Sequence, residues 1–290
     1  MKRHKAAKTA LSIGKYILVA LLFLWIVLPI AWMFISSISE NKDLLNADSG
    51  FWPSEVSFRR YEEIFFSQPS GGIQTPAQVF KTAIKNSLII SVSTTIVSLI
   101  TGMLGSYAFS RLKFRGKGGL LMSFLVAQML PAISLVIPMF FILKKFGLSD
   151  TKIGLVLVYI SFVLPYVIWV LTNYFNTISK DLEAAAQIDG CTRLGAFFRI
   201  IVPTAGPGFV AVGVLSFLMS WDEFLYALIL INSQGHKTIP VAISEFNGQF
   251  GLDYGMMMAG GFVATILPLA LAMVFQRWIA MGMTAGAVKE

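Results

Sequence analysis

The sequence has very little chemistry to offer: one cysteine, two histidines and few charges among 290 residues. Cys191 stands alone and cannot form an internal disulfide; it falls on the side assigned below to the cytoplasm, where thiols stay reduced. His4 lies in a basic tail and His236 in a short outer loop, and two unpaired histidines do not make a metal site. No HExxH, GxSxG or clustered Cys/His pattern occurs. The run RGKGG around Lys117 lacks the upstream glycine spacing and the following Ser/Thr of a phosphate loop. No residue is therefore assigned as catalytic, and energy for any work must enter from outside the chain. Only 13% of the residues are charged, and the net charge of +8 comes from bases that flank apolar runs. They form no patch interleaved with aromatics, so nucleic acid is excluded as a partner.

What the chain has in abundance is apolar surface. Fully 56% of it is hydrophobic and its mean hydropathy is +0.73, values that point to a lipid bilayer as its surroundings. Residues 1–15 form a basic tail with Lys2, Arg3, Lys5, Lys8 and Lys15. The apolar run over 16–38 is longer than the ~20 residues needed to cross the hydrocarbon core. A cleaved signal peptide would have an apolar stretch of only ~7–15 residues and a small-residue cleavage site. Trp25, Pro29 and Trp32 lie in this run and no clean site follows, so a retained first span is expected. Residues 39–84, rich in Ser, Pro, Gly and Gln, read as an extracytoplasmic loop with one short amphipathic helix. Further spans are expected at about 86–109, 119–143, 153–176, 207–231 and 257–280. The expectation is thus all-α: a polytopic membrane protein with six transmembrane helices in a core over 85–280, and a cytoplasmic tail over 281–290.

Charge sets the orientation. With the N-terminus inside, the cytoplasmic segments hold fourteen Lys/Arg and the outer ones nine, five of these between the first two spans among six acids. Lys144, Lys145 and Lys152 run against the bias. Pro29, Pro131, Pro138, Pro165 and Pro268 interrupt spans, which neighbouring helices tolerate by satisfying the freed backbone groups.

One long stretch of mixed polarity, 177–207, separates the fourth and fifth spans. Ser179 can cap a helix whose first turn holds Asp181 and Glu183, where carboxylates suit the positive dipole end. Ile178, Leu182, Ala185 and Asp189 recur at helical spacing and predict a narrow, mostly apolar stripe. Gly190 suits a left-handed helix end. Thr192 can cap a second helix with Phe197, Phe198, Ile200 and Ile201, stopped at Pro203. Two short helices on a glycine turn make a knob that another protein can hold.

These residues resemble the EAA loop of ABC-importer permeases, written EAA-x3-G-x9-I-x-L-P. Ala185, Ala186, Gly190, Ile200, Val202 and Pro203 sit at its spacing, and AAQIDG with FFRIIVP is similar to the carbohydrate-importer branch. One departure stands out. The motif glutamate belongs six residues before Gly190, where this chain has Ala184; Glu183 lies one place early, about 100° around the helix. The C-terminal QRW and TAGAVK resemble the end of the shorter, six-span permeases of maltose-transporter type, and Trp52–Phe65 resembles their first outer segment.

The resemblance implies a permease subunit that forms half of a sugar pathway in a bacterial inner membrane, with both termini cytoplasmic. It implies a second homologous permease, two ATP-binding subunits that bind the ATP and Mg²⁺, and an extracytoplasmic sugar-binding protein. The loop residues Glu183, Ala185, Ala186, Asp189, Gly190, Ile200 and Pro203 would couple to the ATPases, and the tail residues Thr284, Ala285 and Gly286 would reach between them. Trp221, Asp222, Glu223 and Tyr226 fall in the fifth span. A carboxylate at that depth costs about 2.5–3.5 kcal/mol on insertion scales without a wet cavity or a partner. They suit a sugar route, a position near the outer interface, or contact with the second permease. Alternatives to a sugar permease are an ABC permease for a polyol or glycerol phosphate, an ion-driven secondary transporter, or an intramembrane enzyme.

Overall fold

The structure, a computed structural model, describes residues 2–46, 50–67, 75–248 and 251–285. The chain packs as two units, one of residues 1–72 with 243–265 and one of residues 73–242 with 266–290. Both are helical, as expected. The strands among the described residues are a two-residue pair, Asn247–Gly248 with Gly251–Leu252.

In the first unit α1 (Lys2–Ile38) begins inside the expected basic tail, so that tail is helical from Lys2. Every side chain from Ser12 to Pro29 is exposed, which for an apolar helix with its backbone bonded internally suits lipid. The segment after α1 folds back onto the end of this helix. Between α2 (Asn41–Leu45) and α3 (Arg59–Phe66), Val56 pairs with Ser39 in an isolated bridge. The Arg60 guanidinium donates to the carbonyls of Ser37 at 3.1 Å and Ser39 at 2.5 Å, and to Asn41 Oδ1 at 2.9 Å. Arg60 thus takes one of the carbonyls that the end of α1 leaves orphaned, while Ser39 Oγ takes that of Ile35 and the Ser57 N–H that of Ile38. α3 buries Ile64 completely, as the expected amphipathic helix should.

The second unit is built on α4 (Pro76–Arg111) and α7 (Lys152–Thr177). α4 starts ten residues before the expected span, because Thr75 and Gln78 form a capping box around Pro76. Its inward face is small and polar: Ser87, Ser91, Thr94, Ser98, Gly102, Ser106 and Ser110 are buried at helical spacing. Small residues let two helix backbones approach closely where no hydrophobic effect drives them together. A Cβ on Gly102 would stand 2.5 Å from Val167 Cγ1, and Ser106 Oγ donates across the seam to the Ile168 carbonyl at 3.1 Å. Toward its other end, Asn86 Nδ2 donates to the carbonyls of Gly235 and Lys237, both at 2.9 Å, just before α13 (Ile239–Ser244).

Two expected spans are broken. The stretch 119–143 is α5 (Lys117–Gln128) and α6 (Ala132–Lys145), bent by 100° at Met129–Pro131. Pro131 has no N–H to continue α5, and its fixed φ starts α6 instead. Lys144 and Lys145, which violate the charge bias, fall in the last turn of α6, where the helix dipole favours cations. The stretch 207–231 is α11 (Gly206–Trp221) and α12 (Leu225–Leu230), separated by Asp222–Phe224. Sixteen residues of α11 rise only about 24 Å. Among the described residues, four helices, Ser12–Ile38, Pro76–Arg111, Lys152–Thr177 and Tyr254–Gly282, are long and apolar enough to cross a membrane unbroken. The count reaches six if two bent pairs each make one span: α5 with α6, and Arg193–Thr204 with α11.

Between α6 and α7, outside the helices, Asp150 adopts a left-handed φ of 55°. Its Oδ1 accepts from the N–H groups of Asn232 at 2.9 Å and Ser233 at 3.0 Å, and from the Ser233 hydroxyl at 3.1 Å. His236 Nδ1 sits 2.6 Å from the Asp150 carbonyl. Burial opposes ionisation of this carboxyl, but the Ser233 and Asn232 donors and the nearby His236 outweigh it and hold it below the usual carboxylate range.

Replacing Gly102 with leucine should overpack the seam and lower stability by about 1–3 kcal/mol in thermal unfolding in detergent. Gly105→Ala, whose Cβ would meet Ile168 Cδ1 at an ordinary 3.4 Å, should cost far less. Because Asp150 titrates lower in the folded chain, its contribution is present above the unfolded value of about 4 and fades as pH falls further. The gap in unfolding midpoint between wild type and Asp150→Asn should therefore be widest at neutral pH and close below about pH 4.

Candidate functional site

The stretch between α7 and α11 folds as expected into two short helices on a glycine turn. Ser179 Oγ accepts from the Asp181 N–H at 3.2 Å and opens α8 (Lys180–Ile188). Gly190 ends it with φ +85°, while the Gly190 and Cys191 N–H groups close onto the carbonyls of Gln187 and Ala186. A Cβ at Gly190 would meet nothing within 4 Å, so the demand for glycine is one of backbone conformation alone. Thr192 Oγ1 then accepts from Gly195 N–H at 3.0 Å and caps α9 (Arg193–Ala196).

The second helix does not stop at Pro203. It passes through a π-turn, Phe197–Ile201, into α10 (Val202–Thr204), and only then bends by 74° into α11. Pro203 lacks the N–H that would reach back into the helix, and the Val202 N–H reaches the Phe197 carbonyl five residues back.

The expected apolar stripe is also corrected. Leu182, Ala185 and Asp189 face outward, and the buried side of α8 carries Glu183 and Ala186. The reason is polar. The Glu183 side chain is only 8% exposed and forms an ion pair with Arg111, whose Nε donates to Oε1. Its Oε2 accepts from the Tyr107 hydroxyl at 3.0 Å. Arg111 also donates to the Ile178 carbonyl at 2.9 Å and to Ser110 Oγ at 3.2 Å, and Ser110 in turn donates to Asn176 Oδ1 at 2.8 Å. The Tyr107 ring lies 4.4 Å from that of Phe197 within a buried cluster with Phe175, Ile178, Ile201 and Ala205. A buried, bonded carboxylate outweighs the small gain from turning Leu182 inward, so the helix seats about one residue round from its apolar pattern.

With Glu183 inward, several large apolar side chains stand exposed on the loop among its charged ones. Ile188 is 86% exposed, Leu194 61%, Phe198 51% and Leu182 46%. Ala184, Ala185, Asp189, Gly190 and Pro203 are exposed beside them, Ile200 is half-buried and Ala186 buried. Sequence reasoning missed Tyr107 and Arg111. Their spacing of four on the last turn of α4 was the available signal, but Arg111 registers there as one more inside charge.

The second group of expected residues lies at the break between α11 and α12. Trp221 is buried with its ring stacked 5.5 Å from Phe217, and Tyr226 is buried against Phe162 at 5.9 Å. The Glu223 carboxylate accepts from the N–H groups of Tyr226 at 2.9 Å and Ala227 at 3.2 Å, and from the Tyr159 hydroxyl at 2.7 Å. It therefore starts α12. Asp222 is the exposed member of the four acidic and aromatic candidates. Of the tail residues, Thr284 and Ala285 end α14 (Tyr254–Ala285), and Gly286 lies outside the described residues. Among the described residues, no group of three His, Cys, Asp or Glu converges as a metal site requires.

Comparison with known proteins identifies the family and the fold. Residues 98–284 match the family described as binding-protein-dependent transport system inner membrane component. The chain is 39% identical over 264 residues to the trehalose transport system permease protein of Mycobacterium tuberculosis, covering 90% of this chain and 92% of that one. It is 32% identical over 288 residues to the trehalose/maltose transport system permease protein of Thermococcus litoralis, covering 99% of each. Among solved structures, a chain of a bacterial ABC transporter involved in the import of the acidic polysaccharide alginate has the same fold. Its TM-score is 0.73 at 22% identity, over 93% of this chain and 97% of that one.

Glu223→Ala should remove the start of α12 and strand the Tyr159 hydroxyl, costing about 1.5–3 kcal/mol in thermal unfolding. Asp222→Asn, at an exposed position, should change stability by less than about 0.5 kcal/mol.

Proposed function

This chain belongs to the family of binding-protein-dependent transport system inner membrane components, and on that premise we propose that it forms half of the membrane pathway of an ABC importer for an oligosaccharide. Family membership sets aside the ion-driven transporter and the intramembrane enzyme. The observation that carries the sugar assignment is likeness over nearly the whole chain to permeases named for trehalose and for trehalose/maltose. A second, homologous permease completes the pathway. Two ATPase subunits hold the ATP and Mg²⁺ on the cytoplasmic side, and an extracytoplasmic binding protein delivers the sugar. The basic start of α1 and the end of α14 both lie in the cytoplasm, consistent with the excess of Lys/Arg on that side.

In this reading the loop from Ser179 to Thr204 is where an ATPase grips. Its outward surface offers Ile188, Leu194, Phe198 and Leu182, with Asp181, Asp189, Arg193 and Arg199 around them. Large exposed apolar side chains ringed by charge are the usual anatomy of a protein interface. Ala184 stands where the motif this loop resembles has glutamate, and Glu183 is turned inward, so neither position offers a carboxylate to the contact. Closure of the ATPases on ATP would draw the two permeases' loops together and turn the pathway from inward- to outward-facing. Asp222, exposed after the end of α11, would accept sugar hydroxyls or meet the second permease; its exposure supports this reading.

The test is co-purification and uptake with the complete transporter. Ile188→Asp should abolish recovery of the ATPase subunits with this chain while membrane insertion persists. Gly190→Val, strained at a φ no β-branched residue tolerates, should cut uptake about tenfold or more by distorting the docking surface. Normal ATPase recovery and uptake from both variants would rule out the loop as the docking site.

A further inference from the structure

The loop is covalently continuous with α7 at one end and with α11 at the other. α4 has no such connection to it, yet the inner end of α4 holds the loop more tightly than chain continuity requires. Tyr107 and Arg111, one helical turn apart, both bond Glu183 of α8. Arg111 reaches on to the carbonyl of Ile178, where α7 ends, and Ser110 bonds Asn176 just before it. The Tyr107 ring rests on Phe197 of the loop's second helix. Four points of attachment therefore join one helix turn to both halves of the loop and to the end of α7.

We propose that Tyr107, Arg111 and Glu183 form a latch that makes α4 a direct recipient of force applied to the loop. The proposal rests on the docking reading above and specifies how the docked loop is read by the membrane helices. Glu183 is a positioning residue in this scheme and does not touch the ATPase.

Three observations support it. The ion pair is nearly sealed from water, with side-chain exposures of 5% for Arg111 and 8% for Glu183, so competition from solvent is weak and the geometry is held in one arrangement. Swinging Glu183 outward would leave the Arg111 guanidinium buried without its counter-charge, an expensive state. Finally, α4 is locked against α7 along its length through Gly102 and Ser106, so a displacement received at Arg111 is passed to the whole seam rather than absorbed locally. A latch at one end and a close-packed rod behind it constitute a lever.

The experiment uses the complete transporter with its second permease, ATPases and binding protein. It compares Arg111→Met, Glu183→Gln, the double variant, Arg111→Lys and Tyr107→Phe. Three quantities are read: ATPase subunits recovered with this chain, ATP hydrolysis stimulated by the binding protein, and sugar taken up per ATP hydrolysed. The latch predicts unchanged ATPase recovery with uptake per ATP lowered about fivefold or more in Arg111→Met and Glu183→Gln, the range of ordinary coupling between sites. The double variant should be no worse than either single one, since both remove the same link. Arg111→Lys should restore part of the coupling through its charge while lacking the bond to Ile178. Tyr107→Phe keeps the ring on Phe197 and loses one hydrogen bond, so it should fold normally and show a smaller, measurable loss of coupling.

Wild-type uptake per ATP in Glu183→Gln and Tyr107→Phe would overturn the latch. So would loss of ATPase recovery in Tyr107→Phe or Glu183→Gln, because that would make the cluster part of the docking surface or of basic folding. Ile188→Asp separates the two ideas: if that variant keeps both ATPase recovery and uptake, the docking reading fails whatever the latch variants do.

Discussion

The close approach of α4 to α7 is the constraint from which the rest of the second unit follows. In a membrane, two apolar helices gain little from hiding from lipid, so they associate only where shape lets their backbones come near. Gly102 against Val167 and the Ser106 bond to Ile168 supply that fit. The rod so formed presents two polar ends. At one, Asn86 and Ser87 hold the 234–239 segment through its backbone; at the other, Tyr107 and Arg111 hold Glu183. Both ends use side chains to satisfy groups that would otherwise be buried without partners.

Breaks in helices serve the same accounting of backbone groups. The bend at Pro131 and the gap at Asp222–Phe224 interrupt stretches whose composition alone reads as continuous spans. In each case the freed groups are met locally, at the second by the Glu223 carboxylate on the first N–H groups of α12. An acid in an apolar segment is conspicuous and invites a functional reading. Glu223 is instead committed to structure, and only its neighbour Asp222 is exposed. Two adjacent carboxylates therefore stand in different surroundings, one bonded to the start of α12 and one exposed.

The place of Glu183 on α8 has a comparable logic. A shift of about 100° moves a side chain from the outside of α8 to its inside. Glu183 then meets Arg111 and Tyr107, and the outward surface is left to Ile188, Leu194 and Phe198. The hydrophobic pattern of Ile178, Leu182, Ala185 and Asp189 would seat the helix the other way, and it loses to one buried ion pair.

The sequence by itself determined the helical class, the membrane setting, the bounds of α7 and α14 to within a few residues, and the two-helix loop with its caps at Ser179, Gly190 and Thr192. Those properties are local: run length, helical periodicity, and the conformational preferences of single residues act within a turn or two of the chain. Tertiary structure alone decided which face of α8 turns inward, which of Asp222 and Glu223 is occupied, and that an arginine at the end of α4 holds a loop more than seventy residues away. These depend on what lies across a gap in space, where a desolvated charge finds its partner, and no spacing along the chain records that distance.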